Sequence, residues 1–175
     1  MKELSLFSGA GGGLLGSKLL NWRHCGYVEY NEYCQKIIKQ RIKDGLLENA
    51  PIFGDIKTFI DEGYADSYKG LVDVVTAGFP CQPFSVSGKQ KTTKDERNMW
   101  PETIEVIRRV QPSIAYLENV PGLISTGYIM QVINDLFESG YEVLPPLKIG
   151  AGDVGAWHQR KRIWILAYRN SSISE

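Results

Sequence analysis

The chain is 175 residues long and 43% hydrophobic, and its 20 basic and 20 acidic residues cancel. That length buries one sizeable core and argues for a single domain over residues 1–175, while the neutral balance excludes binding to nucleic acid through bulk positive charge, so any such surface has to be local. No charged start followed by an apolar stretch opens the chain, and no apolar run approaches ~20 residues, which argues against secretion or membrane insertion and for a cytoplasmic protein. Three cysteines, Cys25, Cys34 and Cys81, with His24 and His158 beside them, form neither a disulfide framework nor a zinc-type spacing. No metal is expected, and Cys25 and Cys34 read as small packing residues.

In chain order, the first apolar run is LSLF at 4–7, which leads into FSGAGGGLLG at 7–16. GYVEY at 26–30 follows, and then NEYCQKIIKQRI at 31–42, which places Tyr33, Ile37, Ile38 and Ile42 at helical spacing. VDVVTAGF at 72–79 is the next buried-strand candidate, and PETIEVIRRV opens with Pro101, a residue suited to the first turn of a helix. IAYLEN at 114–119, YEVLPPLKI at 141–149 and RIWILAY at 162–168 complete the set. Strand and helix in alternation predict a mainly parallel sheet covered on both faces. The last two runs leave no room for a helix between them, so an antiparallel hairpin at one edge is expected. The segment 85–98, rich in Ser, Thr, Lys and Gly, is the longest predicted flexible stretch.

Ligands of such a sheet gather at the carboxyl ends of its strands, where loops and helix N-termini converge. Three chemical features fall there. In the glycine turn at 7–16 the backbone can approach a ligand closely, and the following helix offers free amides to an anion, although glycine turns also arise for structural reasons alone. Glu29 ends the second strand twenty residues after Gly9, the spacing at which an acid in this architecture accepts hydrogen bonds from ribose hydroxyls. No GKS or GKT follows, which disfavours a nucleoside triphosphate and leaves a nucleoside-bearing cofactor. In GFPCQPFS, residues 78–85, prolines on both sides of Cys81 restrict the backbone and favour a preplaced thiol over an inert buried one. A thiol attacks as the thiolate, which a helix start or nearby cations would favour. In LENVPG, residues 117–122, Glu118 and Asn119 end an apolar strand; Glu118 is either a solvated strand end or a partly buried acid able to donate a proton.

Taken in this order, the residues resemble the cytosine-5 DNA methyltransferase family, which uses S-adenosylmethionine. FSGAGG looks like that family's first cofactor motif, GFPCQPFS its nucleophile motif, ENV its acid motif, and HQRKR at 158–162 its basic motif before the final strand. The resemblance implies a Rossmann-like class I methyltransferase fold, with a mainly parallel doubly wound sheet and an antiparallel edge hairpin. It implies that Phe7, Gly9, Ala10, Gly11 and Gly12 line the cofactor, that Glu29 holds its ribose and that Tyr30 stacks on its adenine. Asp55 and Ile56, in FGDI after a short third strand, would contact the adenine edge, with Pro80 and Trp100 closing the pocket near the sulfonium. Cys81 would be the nucleophile adding to C6 of cytosine, Glu118 would grip N3 and the exocyclic amine, and Arg160 and Arg162 would orient the base and the acid. The partner would be DNA with its target cytosine turned out of the duplex, and Lys89, Lys91, Lys94 and Arg97 would contact phosphates, or else belong to an ordinary solvated loop.

The chain departs from the family pattern at Ser5, where Asp is common, and at Trp157 and His158, where the family commonly has proline and glutamine. Target recognition and the returning C-terminal segment of longer relatives have no counterpart in the sequence, so the expectations are a catalytic-domain fragment, a second chain supplying recognition, or weak or no activity of the chain by itself. Two alternatives of other kinds accompany the leading one: an S-adenosylmethionine-binding subunit or degenerate relative that methylates nothing alone, and an RNA cytosine-5 methyltransferase. A Rossmann-like domain with unrelated chemistry is the plainest. Restriction-modification is the setting the resemblance implies.

Overall fold

The computed structural model describes residues 1–80 and 97–169, so Cys81, Lys89, Lys91 and Lys94 lie outside the described residues. Its strands are β1 (Lys2–Leu6), β2 (Arg23–Val28), β3 (Ile52–Phe53), β4 (Val74–Ala77), β5 (Ile114–Asn119), β6 (Tyr141–Val143), β7 (Leu147–Ile149) and β8 (Arg162–Arg169). Its helices are α1 (Gly12–Leu19), α2 (Glu32–Lys43), α3 (Ile56–Asp61), α4 (Trp100–Val110), α5 (Gly122–Ser125) and α6 (Tyr128–Glu138), with 3₁₀ turns at Ala65–Tyr68 and Ala151–Val154.

The sheet runs β3-β2-β1-β4-β5-β8-β6, with β7 also paired to β8. Strands β1 to β5 are parallel, and β8 is antiparallel to β5, β6 and β7. The chain winds outward from β1 to β3 and then crosses back to β4 beside β1, so the order reverses between β1 and β4. The carboxyl ends of those two strands therefore flank the ligand crevice of an α/β sheet. This is the Rossmann-like architecture the sequence predicts.

The antiparallel pairing is present in a different arrangement. Pro145 and Pro146 have no N–H to donate, and they split the run 141–149 into β6 and β7. Leu144 N still donates to Leu166 O at 2.9 Å, so both short strands line one eight-residue partner, β8. The last strand thus sits inside the sheet, between β5 and this broken edge.

Strand alternation divides the two faces. Ala115, Leu117 and Asn119 of β5 and Ile163, Ile165 and Ala167 of β8 are buried, and the apolar ones join one core with Trp100, Ile104 and Ile107 of α4 and Val132 and Leu136 of α6. On the opposite face Leu14 of α1, Tyr27 of β2 and Ile38 of α2 form a second cluster with Leu47. On that same face Tyr116, Glu118, Arg162, Trp164 and Leu166 remain half-buried, with the Tyr116 and Trp164 rings stacked at 5.2 Å and 15°. Asn31 caps α2, its side chain accepting from Cys34 N at 3.1 Å. The predicted stripe of this helix is corrected at one position: Tyr33 is exposed, and Cys34 is half-buried one turn before the buried Ile38. Burial pushes the Cys25 thiol up from its ordinary range, in keeping with a packing role. Among the described residues, no helix is long and apolar enough to cross a membrane.

Leu117 is fully buried at the centre of the sheet. Leu117→Ala is expected to lower unfolding free energy by about 2–5 kcal/mol in urea titrations followed by circular dichroism, as cavity-forming substitutions do.

Candidate active site at the carboxyl ends of β1, β4 and β5

Parallel register places three strand ends side by side. Leu6 of β1 pairs with Ala77 of β4, and Ala77 pairs with Leu117 of β5. The glycine turn and the segment leading to Cys81 consequently leave the sheet at the height of Glu118, which is still within β5.

The glycine turn reverses the chain from β1 into α1 through left-handed residues at Phe7 (φ 53°), Gly9 (φ 56°) and Gly11 (φ 81°). Glycine adopts this conformation freely, whereas Phe7 does so under strain, offset where its ring packs against the main core. Ser8 ties the turn down: its N–H donates to Val28 O at 3.2 Å and its hydroxyl to Ser5 O at 3.1 Å. Gly11 caps α1 without a side-chain acceptor, so among the described residues no side chain caps the first turn, which begins at Gly12. Ala10 is exposed, and its carbonyl accepts from the Arg41 guanidinium of α2. A Cβ on Gly11 would stand 2.8 Å from Arg41 Nη1, the movable end of a long side chain, so it is the backbone angle that favours glycine there.

Glu29 follows β2 and is 8% exposed. Its Oε2 accepts from Gly9 N at 2.6 Å and its Oε1 from Asn31 N at 2.8 Å. The twenty-residue relation read from the sequence is thus a direct contact between the acid and the glycine turn. A carboxylate has about four lone-pair positions, so acceptor capacity remains for a ligand's hydroxyls. Glu29 N donates to Phe53 O at 2.9 Å, which sets Glu29 and Tyr30 beside the Gly54–Asp55 corner. Tyr30 is 79% exposed, an open aromatic face. Asp55 caps α3, accepting from Lys57 N at 3.0 Å, and Ile56 is buried in the main core. A buried acid, an open ring and uncapped amides around one glycine turn fit a nucleoside-bearing cofactor with an anionic tail.

Trp100 stands apart from this group. It is 1% exposed, donates its indole N–H to Asp135 Oδ2 of α6 at 2.6 Å and lies 5.1 Å from the Phe79 ring. It joins α4 to α6 in the core. Pro80 is exposed; its carbonyl accepts from Met99 N at 3.1 Å, and the carbonyl of buried Phe79 accepts from Asn119 Nδ2 at 3.0 Å. Residues 79 and 80 are therefore anchored from β5 and from the start of α4.

Glu118 lies on the half-buried face of β5. Arg162 Nε stands 2.5 Å from its Oε1, and a Cβ on Gly78 would touch its Oε2 at 3.4 Å. The carboxylate thus rests against backbone three residues before Cys81, and glycine at 78 leaves room for it. Arg162 also donates to Lys161 O at 2.9 Å, which fixes the guanidinium on both sides. Arg160 is exposed at φ 30°, on the same end of the sheet but outside this ion pair. His158 is exposed, its ring 5.3 Å from that of Trp157. Arg41 and the anchoring role of Asn119 are absent from the sequence reading. Arg41 carries no local signal, because its contact spans thirty-one residues; Asn119, adjacent to Glu118, falls on the opposite face of the strand.

The family model described as C-5 cytosine-specific DNA methylase matches residues 1–175. The type II methyltransferase M.NgoMIV of Neisseria gonorrhoeae is 31% identical over 173 residues, covering 96% of this chain and 52% of the relative. M.HpaII of Haemophilus parainfluenzae is 32% identical over 179 residues, covering 97% and 46%. The chain thus spans about half the length of these relatives. Among solved structures, an S. pombe Dnmt2 methyltransferase superposes with TM-score 0.75 at 22% identity, over 97% of this chain and 51% of that one. A putative DNA modification methyltransferase from an E. coli prophage gives 0.72 at 24% identity, over 100% and 48%. These two likenesses show the fold.

Two substitutions separate turn from core. Gly11→Ala, strained in backbone, is expected to weaken S-adenosylmethionine binding about tenfold or more in calorimetric titration. Trp100→Phe is expected to leave that affinity within about twofold while lowering stability by about 1–3 kcal/mol through the unmet Asp135 acceptor.

Proposed function

Because the chain belongs to the C-5 cytosine-specific DNA methylase family, we propose that it is the catalytic part of a DNA (cytosine-5-)-methyltransferase acting through a covalent Cys81 adduct. The observation that carries this reading is the Glu118–Arg162 pair, 2.5 Å apart and packed against Gly78 in the segment that leads to Cys81.

In this reading Phe7, Gly9, Ala10, Gly11 and Gly12 hold the methionine part of S-adenosylmethionine, Glu29 its ribose, and Tyr30, Asp55 and Ile56 its adenine, with Pro80 near the sulfonium. When bound, that cofactor supplies an electrophilic methyl group to carbon 5 of the substrate. The remaining chemistry belongs to the chain. The Cys81 thiolate forms a bond to cytosine C6, and the displaced ring electrons move toward N3, where Glu118 donates a proton and limits the developing charge. The ring becomes an enamine with a nucleophilic C5. After methylation a base removes the C5 proton, the C5=C6 bond re-forms, the C6–S bond breaks with its electrons returning to sulfur, and N3 returns its proton to Glu118.

Arg162 holds Glu118 in one orientation throughout, because its guanidinium is fixed by both Glu118 and Lys161 O. Arg160 supplies positive charge at the same end of the sheet. Because the ring atoms are buried in a duplex, the target base has to be turned out, at a cost of a few kcal/mol that phosphate contacts offset. Recognition of a particular base sequence is assigned in this reading to polypeptide beyond these 175 residues, on the same or a second chain.

Incubation with radiolabelled S-adenosylmethionine and duplex DNA containing 5-fluorocytosine, which cannot lose its ring substituent, is expected to give a covalent adduct. Cys81→Ser should abolish the adduct, and Glu118→Gln should slow methyl transfer to ordinary cytosine by about 10²–10⁴-fold. A chain that binds cofactor yet traps neither DNA nor an RNA of the same sequence is not a catalytic part on its own, and an adduct with RNA alone would move the substrate assignment.

A further inference from the structure

The catalytic scheme leaves Trp157 unused, yet it is 96% exposed, more so than any other large apolar residue among those described. Its exposure does not come from a loose end. The loop between β7 and β8 is closed at its base by Ala151 N donating to Gln159 O at 2.7 Å, and braced within by Ala156 N to Ala151 O at 3.0 Å and Gly150 N to Asp153 Oδ2 at 2.8 Å. A Cβ at Gly150 would stand 2.8 Å from Gln159 O, so the two arms are in contact. Gly155, at φ 93°, then turns the chain just before Ala156 and Trp157. A braced loop is thus presenting an indole to solvent, where it forgoes the gain of covering one of the largest apolar surfaces a side chain has.

The surroundings indicate what covers it. Between residues 148 and 162 the chain carries Lys148, Arg160, Lys161 and Arg162 against a single acid, Asp153. That acid already accepts from Gly150 N, and Arg162 is engaged with Glu118. Arg160 and Lys161 are exposed three and four residues after the indole, and the imidazole of His158 lies 5.3 Å from it, tilted by 42°. Flat aromatic surface beside Arg160 and Lys161, which form no ion pair among the described residues, suits a partner that offers both negative charge and stackable rings. An apolar protein surface would leave the cations without partners. The loop also enters β8 at Arg162, five residues after Trp157 and on the end of the sheet that carries Glu118.

We infer that Trp157 is a stacking platform for a nucleobase of the DNA substrate, positioned beside Arg160 and Lys161 as phosphate contacts. The inference rests on the DNA methyltransferase reading and adds to it a positioning residue that acts on the nucleic acid. A stacked indole contributes through its π-face and tolerates any base, so it holds the strand without choosing the sequence. The bases available to it are those that lose a stacking neighbour when the target cytosine is turned out.

The test uses the 175-residue chain and a fluorescein-labelled duplex containing one mismatched cytosine, with affinity read by anisotropy, S-adenosylmethionine affinity by calorimetry, and thermal midpoint and sedimentation measured alongside. Trp157→Ala is expected to weaken duplex binding about tenfold, with cofactor affinity, melting and sedimentation unchanged, while Trp157→Phe, which keeps a stackable ring, stays within about threefold of the parent. Unchanged duplex binding in Trp157→Ala, with the parent binding well, would overturn this inference and leave the methyltransferase reading standing. A lower melting temperature or a changed sedimentation coefficient in the alanine variant without DNA would show polypeptide on the indole and overturn it equally. A parent chain that binds no duplex would overturn this inference, whereas the methyltransferase reading is decided by the adduct experiment.

Discussion

The register across β1, β4 and β5 is the constraint on which the site depends. Leu6 and Ala77 end their strands level with Leu117, so the glycine turn and the segment toward Cys81 begin at the height of Glu118, the next residue of β5. Side chains in a strand alternate with a period of two, and a slip of one residue in β5 would turn Glu118 into the core face and Leu117 outward. Burying a carboxylate among Leu, Ile and Val without partners is far costlier than any gain from the altered register. The apolar pattern that builds the core therefore also aims the acid.

The Glu118–Arg162 pair shows how sheet topology serves chemistry. The two residues are 44 positions apart, and they meet because β8 runs antiparallel to β5, opposing Trp164 to Glu118 and bringing Arg162 diagonally across. Half-burial on an otherwise apolar strand face shields the pair from solvent without isolating it. Such a position keeps an acid oriented while leaving it open to a ligand, a balance that a fully buried ion pair could not offer.

Local patterns carried much of this into the sequence. IAYLEN marks β5 residue for residue, Asn31 marks the start of α2, and Pro101 lies in the first turn of α4. What stayed hidden depends on partners distant in the chain. The place of β8 inside the sheet follows from its pairing with β5, of which periodicity carries no trace. The resemblance implied Trp100 at the pocket near the sulfonium, yet its indole donates to Asp135, thirty-five residues onward. Tyr33 fell on a plausible helical stripe, but the buried face of α2 is centred one residue later, at Cys34 and Ile38, because Asn31 is the cap and not the first helical residue.

The interior position of the final strand carries a consequence in time. Among the described strands β6 and β7 pair with β8 alone, so until residues 162–169 join the sheet β5 presents an open backbone edge and the two short strands have no place in it. Docking of β8 on β5 covers that edge, brings the Tyr116 and Trp164 rings into register and delivers Arg162 to Glu118. Maturation of the acid is thus tied to that docking: a chain still lacking β8 has no oriented carboxylate to offer a substrate.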